Sequence, residues 1–305
     1  MDTLGFESPR YNSGSLVGQP NQPEHSNWLV SGGRGGSATV QSAVTESGNQ
    51  ALRVDRGSFS DDRWLVPVDN YPTGRFVLVS WDMLVQESAG SGLGPFFGVD
   101  TYDDDETLGV LGSLGVDAKT GEILFQLGGS GFITGTGTFT GFNTWNHFGL
   151  LLDFDANAYR TYVNGTFLVQ TGFVDLDKGV NEFTDADIAA FASAEDTTSL
   201  GMTGTAFFDN FLVTDGVLGD FDLDGDVDGA DLATWESAYG VSAAGDATAD
   251  GQTTGADFLV WQRQYGVNLF PATPVSSAVP EPAAIVLALL GVAALRRRGS
   301  GNHPR

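Results

Sequence analysis

Residues 75–86, Arg-Phe-Val-Leu-Val-Ser-Trp-Asp-Met-Leu-Val-Gln, alternate in character as an extended chain does. Successive side chains of a strand point to opposite faces. Val77, Val79, Trp81, Met83 and Val85 therefore share one face, and Phe76, Leu78, Ser80, Asp82, Leu84 and Gln86 the other. The first face is wholly apolar and the second turns polar in its latter half. That is the pattern of a sandwich strand with one end of its outer face open to solvent. Outward from this stretch, 122–127, 145–154 and 207–214 read as further strands, with Gly, Asn and Asp between them. Asn164-Gly165 joins 159–163 to 167–170 as a tight hairpin. Residues 185–194 (DADIAAFASA) read as a short connecting helix, and 134–138 (TGTGT) as a Gly-rich loop.

The 305 residues allow one large domain and a small one, and 41% apolar content can build a sizeable core. With 42 glycines and 21 phenylalanines, short strands and turns are favoured over long helices. A formal charge of −25 argues against a nucleic-acid partner, because phosphate would be repelled. Residues 215–266 hold 11 acids against one base, Arg263, a density that calls for cations or open solvent. There is no cysteine, which excludes disulfides, thiolate metal sites and a Cys nucleophile. Composition divides the chain into 1–216 (strands), 217–267 (a tandem repeat), 268–280 (a Pro/Ser/Val linker) and 281–298 (an apolar run closed by arginines).

The repeat carries the clearest chemistry. Calcium takes about six to eight hard oxygens, and a twelve-residue loop can wrap them if it turns sharply at its sixth position. In 220–231, Asp220, Asp222 and Asp224 stand at positions one, three and five, and Gly225 supplies the turn. Asp226 stands at seven, where the carbonyl binds, Asp228 at nine, and Asp231 closes the loop before a helix from about 230 to 239. A shift of 26 residues brings back Asp246, Asp250, Gly251 and Asp257, with Thr248, Gln252 and Thr254 where the first loop has Asp. Trp261, Tyr265 and Gly266 likewise repeat Trp235, Tyr239 and Gly240. The alternative for six Asp in twelve residues is a solvated acidic loop; the repeat and the placed glycines favour calcium. Fewer carboxylates in the second loop predict weaker binding there.

Three resemblances add to this reading. Trp145-Asn146-His147-Phe148, Asp153, Tyr162-Val163-Asn164-Gly165, Phe6-Glu7 and Phe208-Asp209-Asn210 resemble the concanavalin-like or laminin-G-like jelly roll. This implies an antiparallel sandwich of a kind that hosts glycoside hydrolases, lyases and non-catalytic lectin-like modules. It also implies a structural calcium shared by Glu7 and Asp209; the alternative pairs Glu7 with Arg10 and leaves Asp209 in a turn. The duplicated loops closing on Asp resemble the type I dockerin. In that family positions ten and eleven, here Gly229-Ala230 and Gly255-Ala256, touch a cohesin scaffold. A calcium-stabilised stalk without a partner is the other reading. Finally, Pro280-Glu281-Pro282, the apolar run 283–295 and Arg296-Arg297-Arg298 resemble the PEP-CTERM sorting signal of Gram-negative bacteria, also known as the ice-binding-protein C-terminal motif. That implies export, transient insertion of the tail in a membrane and cutting by an exosortase; thirteen apolar residues fall short of the roughly 20 of a comfortable span. Residues 1–11 lack the features of a secretory signal, so the expectation is a true start upstream of Met1.

The expected fold is thus mainly β: an antiparallel jelly-roll sandwich followed by a small α-helical dockerin-like module and a C-terminal sorting helix. No catalytic set stands out. Asp82, Glu87, Glu122, Asp153 and Asp155 are the carboxylates weighed for glycoside hydrolysis, which needs two of them about 5–10 Å apart across a sugar site. Asp103-Asp104-Asp105-Glu106 reads as a solvated loop, and His147 as a structural residue. The leading expectation is an exported, envelope-associated, non-catalytic calcium-binding protein presenting a polysaccharide-binding sandwich. A secreted polysaccharide hydrolase or lyase and a matrix protein without soluble ligand are the alternatives.

Overall fold

The fold is described from a computed structural model, for residues 1–20, 27–65, 72–104, 108–131, 133–248 and 250–269. Among these, the strands are β1 (Gly14–Ser15), β2 (Leu29–Gly32), β3 (Ser37–Gln41), β4 (Ala51–Arg56), β5 (Asp62–Leu65), β6 (Phe76–Val85), β7 (Pro95–Asp103), β8 (Gly109–Asp117), β9 (Glu122–Gln126), β10 (Ile133–Phe139), β11 (Trp145–Asp153), β12 (Ala158–Val163), β13 (Thr166–Gly172), β14 (Asp185–Ala192) and β15 (Gly204–Asp215). The helices are α1 (Thr197–Gly201), α2 (Gly229–Ala238) and α3 (Gly255–Gln264). The strands form two antiparallel sheets, β1-β3-β4-β15-β6-β11-β12-β13 and β10-β9-β8-β7-β14-β5-β2, which pack face to face as the expected sandwich.

The core lies between the sheets. Val77, Val79, Trp81, Met83 and Val85 of β6 all enter it, with Trp81 stacked on Phe148 at a centroid distance of 5.7 Å. The opposite face of β6 is more covered than expected, and only Gln86, just past the strand, is exposed on it. All ten residues of the strand are buried. Phe76 and Leu78, with Leu151 and Tyr162, are covered by Leu218, Leu223 and Leu269 from the segment that follows the sandwich. Further along, Asp82 is buried against His147 (Nδ1 to Oδ1, 2.8 Å) and Asn210 (2.8 Å).

The hairpin at Asn164-Gly165 forms as expected, with φ of 52° and 75°. Two local expectations are corrected. Residues 185–192 are not a helix but β14, hydrogen-bonded to β7 on one side and β5 on the other. Alanine favours helix locally, yet the stretch alternates Ala186, Ile188 and Ala190 into the core, and burial on both faces outweighs propensity. Residues 134–138 lie in β10, an edge strand paired to β9.

One compact unit spans Met1–Ala272, so the sandwich and the helix pair are described together. The sorting segment and Pro280, Glu281, Pro282, Arg296, Arg297 and Arg298 lie outside the described residues.

Candidate metal centre and the open sheet face

The two loops share their turn and their closing contacts. Gly225 and Gly251 make the sixth-position turn at φ 101° and 87°, values that a side chain would strain. Asp220 Oδ2 accepts from Gly225 N at 3.0 Å, and Asp246 Oδ2 from Gly251 N at 2.7 Å. At the far end Asp231 Oδ2 accepts from Asp228 N and Asp257 Oδ2 from Thr254 N, both at 2.7 Å. These contacts close reciprocal capping boxes on α2 and α3. The indole of Trp235 donates to Thr254 O and that of Trp261 to Asp228 O, each at 2.8 Å, so each helix holds the other's loop. Gly229, Ala230, Gly255 and Ala256 open the two helices and are all exposed.

The donor set of the first loop fits calcium. Ligand oxygens of Asp220, Asp222 and Asp224 lie within 4.8 Å of one another, as do those of Asp226, Asp228 and Asp231. Two oxygens on one calcium can be no more than about 5 Å apart. Asp226 Oδ1 is shielded from solvent and accepts no hydrogen bond, an orphan that a cation would satisfy. Burial, then the neighbouring carboxylates, pushes Asp220 up to about 8 and Asp222 up to about 6. Asp231 is raised by burial, against the backbone amides that bond it.

The second loop is milder. Asp257 is partly desolvated, but hydrogen bonds from Thr254 and Thr248 hold it below the usual carboxylate range. In the second loop Asp246 accepts from Asp250 N and Gly251 N, and Asp250 from Gln252 N. Thr248 and Gln252 bring no charge, and among the described residues its carboxylates do not gather into a close triad as those of the first loop do.

The first loop is also the seat of the module on the sandwich. Leu223, its fourth residue, packs against the outer-face cluster of Phe76, Leu78, Leu151 and Tyr162. The Tyr162 hydroxyl donates to Leu223 O at 2.6 Å. Leu269 N donates to Gly225 O and Val227 N to Val267 O, which zips the chain after α3 onto the same loop.

Glu7 and Asp209 brace one segment. Glu7 Oε1 accepts from Gln50 N at 2.7 Å, and Asp209 Oδ2 from Glu46 N at 3.1 Å. A Cβ added to Gly5 would stand 2.9 Å from Asp209 Oδ1 and 3.8 Å from Glu7 Cγ, so the two side chains flank one glycine. The Arg10 guanidinium donates to Asp2 O.

The carboxylates weighed for hydrolysis are spread over the molecule. Asp82 holds His147, Glu87 pairs with Lys119, Glu122 bonds Gly137 N, and Asp153 and Asp155 pair with Arg75 around the turn that follows β11. The acidic run at 103 is not wholly solvated either: Asp103 is buried and caps Asn181 N at 2.8 Å.

A different polar cluster emerges on the outer face of the seven-stranded sheet. Asp187 of β14 stands opposite Asp100 of β7, which stands opposite Ser113 of β8; Asp185 faces Tyr102. Asp100 is fully engaged, by Arg63 (2.8 Å), Tyr102 (3.2 Å) and Ser113 (2.6 Å). Asp187 has no such help. Burial, then Asp185 and Asp100, raises it well above the usual range, and burial pushes Asp185 up to about 7. The two carboxyls therefore resist ionising together. Arg63 also lies over the Phe191 ring at 5.0 Å, and Phe191 stacks on Phe96 at 4.4 Å. The period-two spacing of Asp185, Asp187, Ala189 and Phe191 was the sequence signal for this face.

No family model and no curated protein matches the chain. Among solved structures it is similar to a cellulose-induced protein, Cip1, at 16% identity and a TM-score of 0.45, over 61% of this chain and 90% of that one. It is also similar to the alginate lyase Aly36B (12%, TM-score 0.45, 70% and 95% covered) and to the binding domain of botulinum neurotoxin serotype C1 (13%, TM-score 0.43, 66% and 47% covered).

Proposed function

We propose that this chain is an exported, non-catalytic calcium-binding protein in which calcium clamps a two-loop, dockerin-like module to a sandwich that receives a saccharide in the cavity on the outer face of its seven-stranded sheet. The observation that carries the calcium reading is the first loop: six carboxylates in two close triads, with an oxygen of Asp226 shielded from solvent and unpartnered. The clamp follows from Leu223 and Tyr162, since a loop that takes shape around calcium presents the residue that docks. Glu7 and Asp209, converging on 46–50, are proposed to share a further structural calcium. Export rests on the 280–298 motif, and the exposed Gly-Ala pairs leave room for a cohesin-like partner.

The hydrolase alternative needs two carboxyls about 5 Å or more apart. Asp82, Glu87, Glu122 and the Asp153/Asp155 pair are instead engaged by His147, Lys119, Gly137 N and Arg75. Calcium titration of the full chain by calorimetry tests the proposal. Three sites are expected, one in each loop and one at Glu7 and Asp209, with the tighter loop site lost in Asp220→Asn. Heat-free titration, or loop sites that both survive the substitution, would refute it.

A further inference from the structure

We infer that the cavity over β14 and β7 is a binding site for a saccharide bearing a primary ammonium group, the cation seating against the paired carboxyls of Asp185 and Asp187. This rests on the proposed saccharide-binding role of the sandwich and names the class of sugar. The cavity, about 540 Å³, falls within the size range of small-molecule sites. Its apolar wall is formed by Leu65, Leu108 and Val110, a surface suited to the C–H faces of a sugar ring.

The charges around it exclude an acidic sugar. Both cations on the lining are already paired: Arg63 with Asp100 and Lys178 with Asp175, each at 2.8 Å. Asp104, Asp185 and Asp187 remain, so a uronate carboxylate would meet carboxylates and no free base. Asp187 is only 5% exposed, and its Oδ1 has no hydrogen-bond partner. Leaving a buried acceptor unmade is costly, and a donor from a ligand would complete it.

Without ligand the pair is hard to ionise, because Asp100 stands opposite and Arg63 is spent on Asp100. Burial and then Asp100 hold Tyr102 protonated, and Asp104 adds negative charge beside Asp185. An ammonium seating there supplies the missing positive charge, and a proton that the pair held passes to solvent; no other bond is made or broken.

The test is calorimetry on the full chain with calcium present. The probes are a β-1,4-linked glucosamine tetramer, its N-acetylated form, a tetra-uronate and trilysine. The glucosamine tetramer should bind about tenfold or more tighter than the acetylated one, the scale of a charge-assisted hydrogen bond. Its heat should depend on buffer ionisation, reporting the released proton, and the uronate should give none. Asp187→Asn should remove about tenfold or more of the affinity; if that variant melts early, Asp185→Asn carries the same expectation. Equal binding of the free and acetylated tetramers would overturn the ammonium inference and leave the saccharide reading standing. Trilysine binding as tightly as glucosamine would show a cation site without sugar recognition and overturn it as well. No binding by any glycan would overturn both.

Discussion

Tyr162→Phe separates the clamp from simple loop chemistry, because it alters a sandwich residue 61 positions before the loop residue it bonds. Tyr162 is fully buried on β12, and phenylalanine keeps its ring against Phe167 and the Phe76–Leu78–Leu151 cluster. What is lost is the 2.6 Å hydrogen bond to Leu223 O. Leu223 is half-buried, so an unsatisfied carbonyl there costs about 1–2 kcal/mol. If docking and calcium binding at the first loop are one event, that cost appears as roughly 5–30-fold weaker affinity at site one. The second loop lies away from the cluster and serves as an internal control. Calcium titration calorimetry on the full-length variant reads both sites. Unchanged affinity at site one, or equal weakening of both sites, would refute the coupling.

Stability should depend on pH in a calcium-sensitive way. Asp220 and Asp222 are raised to about 8 and about 6 from 3.8. The metal-free fold therefore holds protons that the unfolded chain has released; this stabilisation is complete below about pH 4 and is lost as pH rises through 6 to 8. The melting-temperature gain on adding calcium should grow from pH 5 to pH 8, and a gain constant over that range would contradict the assignment. Asp231→Ala should abolish site one and cost about 1 kcal/mol more through the lost cap of α2, while Asp257→Ala should do the same to site two and α3. Calorimetric heats that vanish from the wrong site would expose a misassignment. Phe148→Ala, which removes the stacked partner of Trp81 in the core, should cost about 3–5 kcal/mol by chemical denaturation. A loss below about 1 kcal/mol would mean that this part of the core repacks freely.

Local chemistry was readable from the sequence where the chain itself closes the contact. The tandem loops depend on spacings of two to eleven residues, and the sixth-position turns stand where the sequence put them; the capping boxes and the tryptophan bonds between the repeats came only from the structure. The inward face of β6 was equally plain, since alternation alone selects Val77 through Val85. Its outward face was read in part: Gln86 is exposed as the polar end implied, but alternation cannot show that His147 and Asn210 bury Asp82, or that Leu218, Leu223 and Leu269, far along the chain, cover Phe76 and Leu78. Residues 185–192 failed for a related reason: their strand state depends on β5 and β7, which no local propensity contains. The open-face cluster was missed altogether. Arg63, Asp100 and Asp187 come from three strands and meet only through register.

Hydrogen exchange on the full chain, with calcium and then with EDTA, addresses the central claim most directly. The account predicts that chelation strips protection from 217–231 and 255–269, and raises exchange in β12 beside Tyr162, while β7 and β8 stay protected. Protection unchanged by EDTA across 217–269 would contradict a calcium clamp.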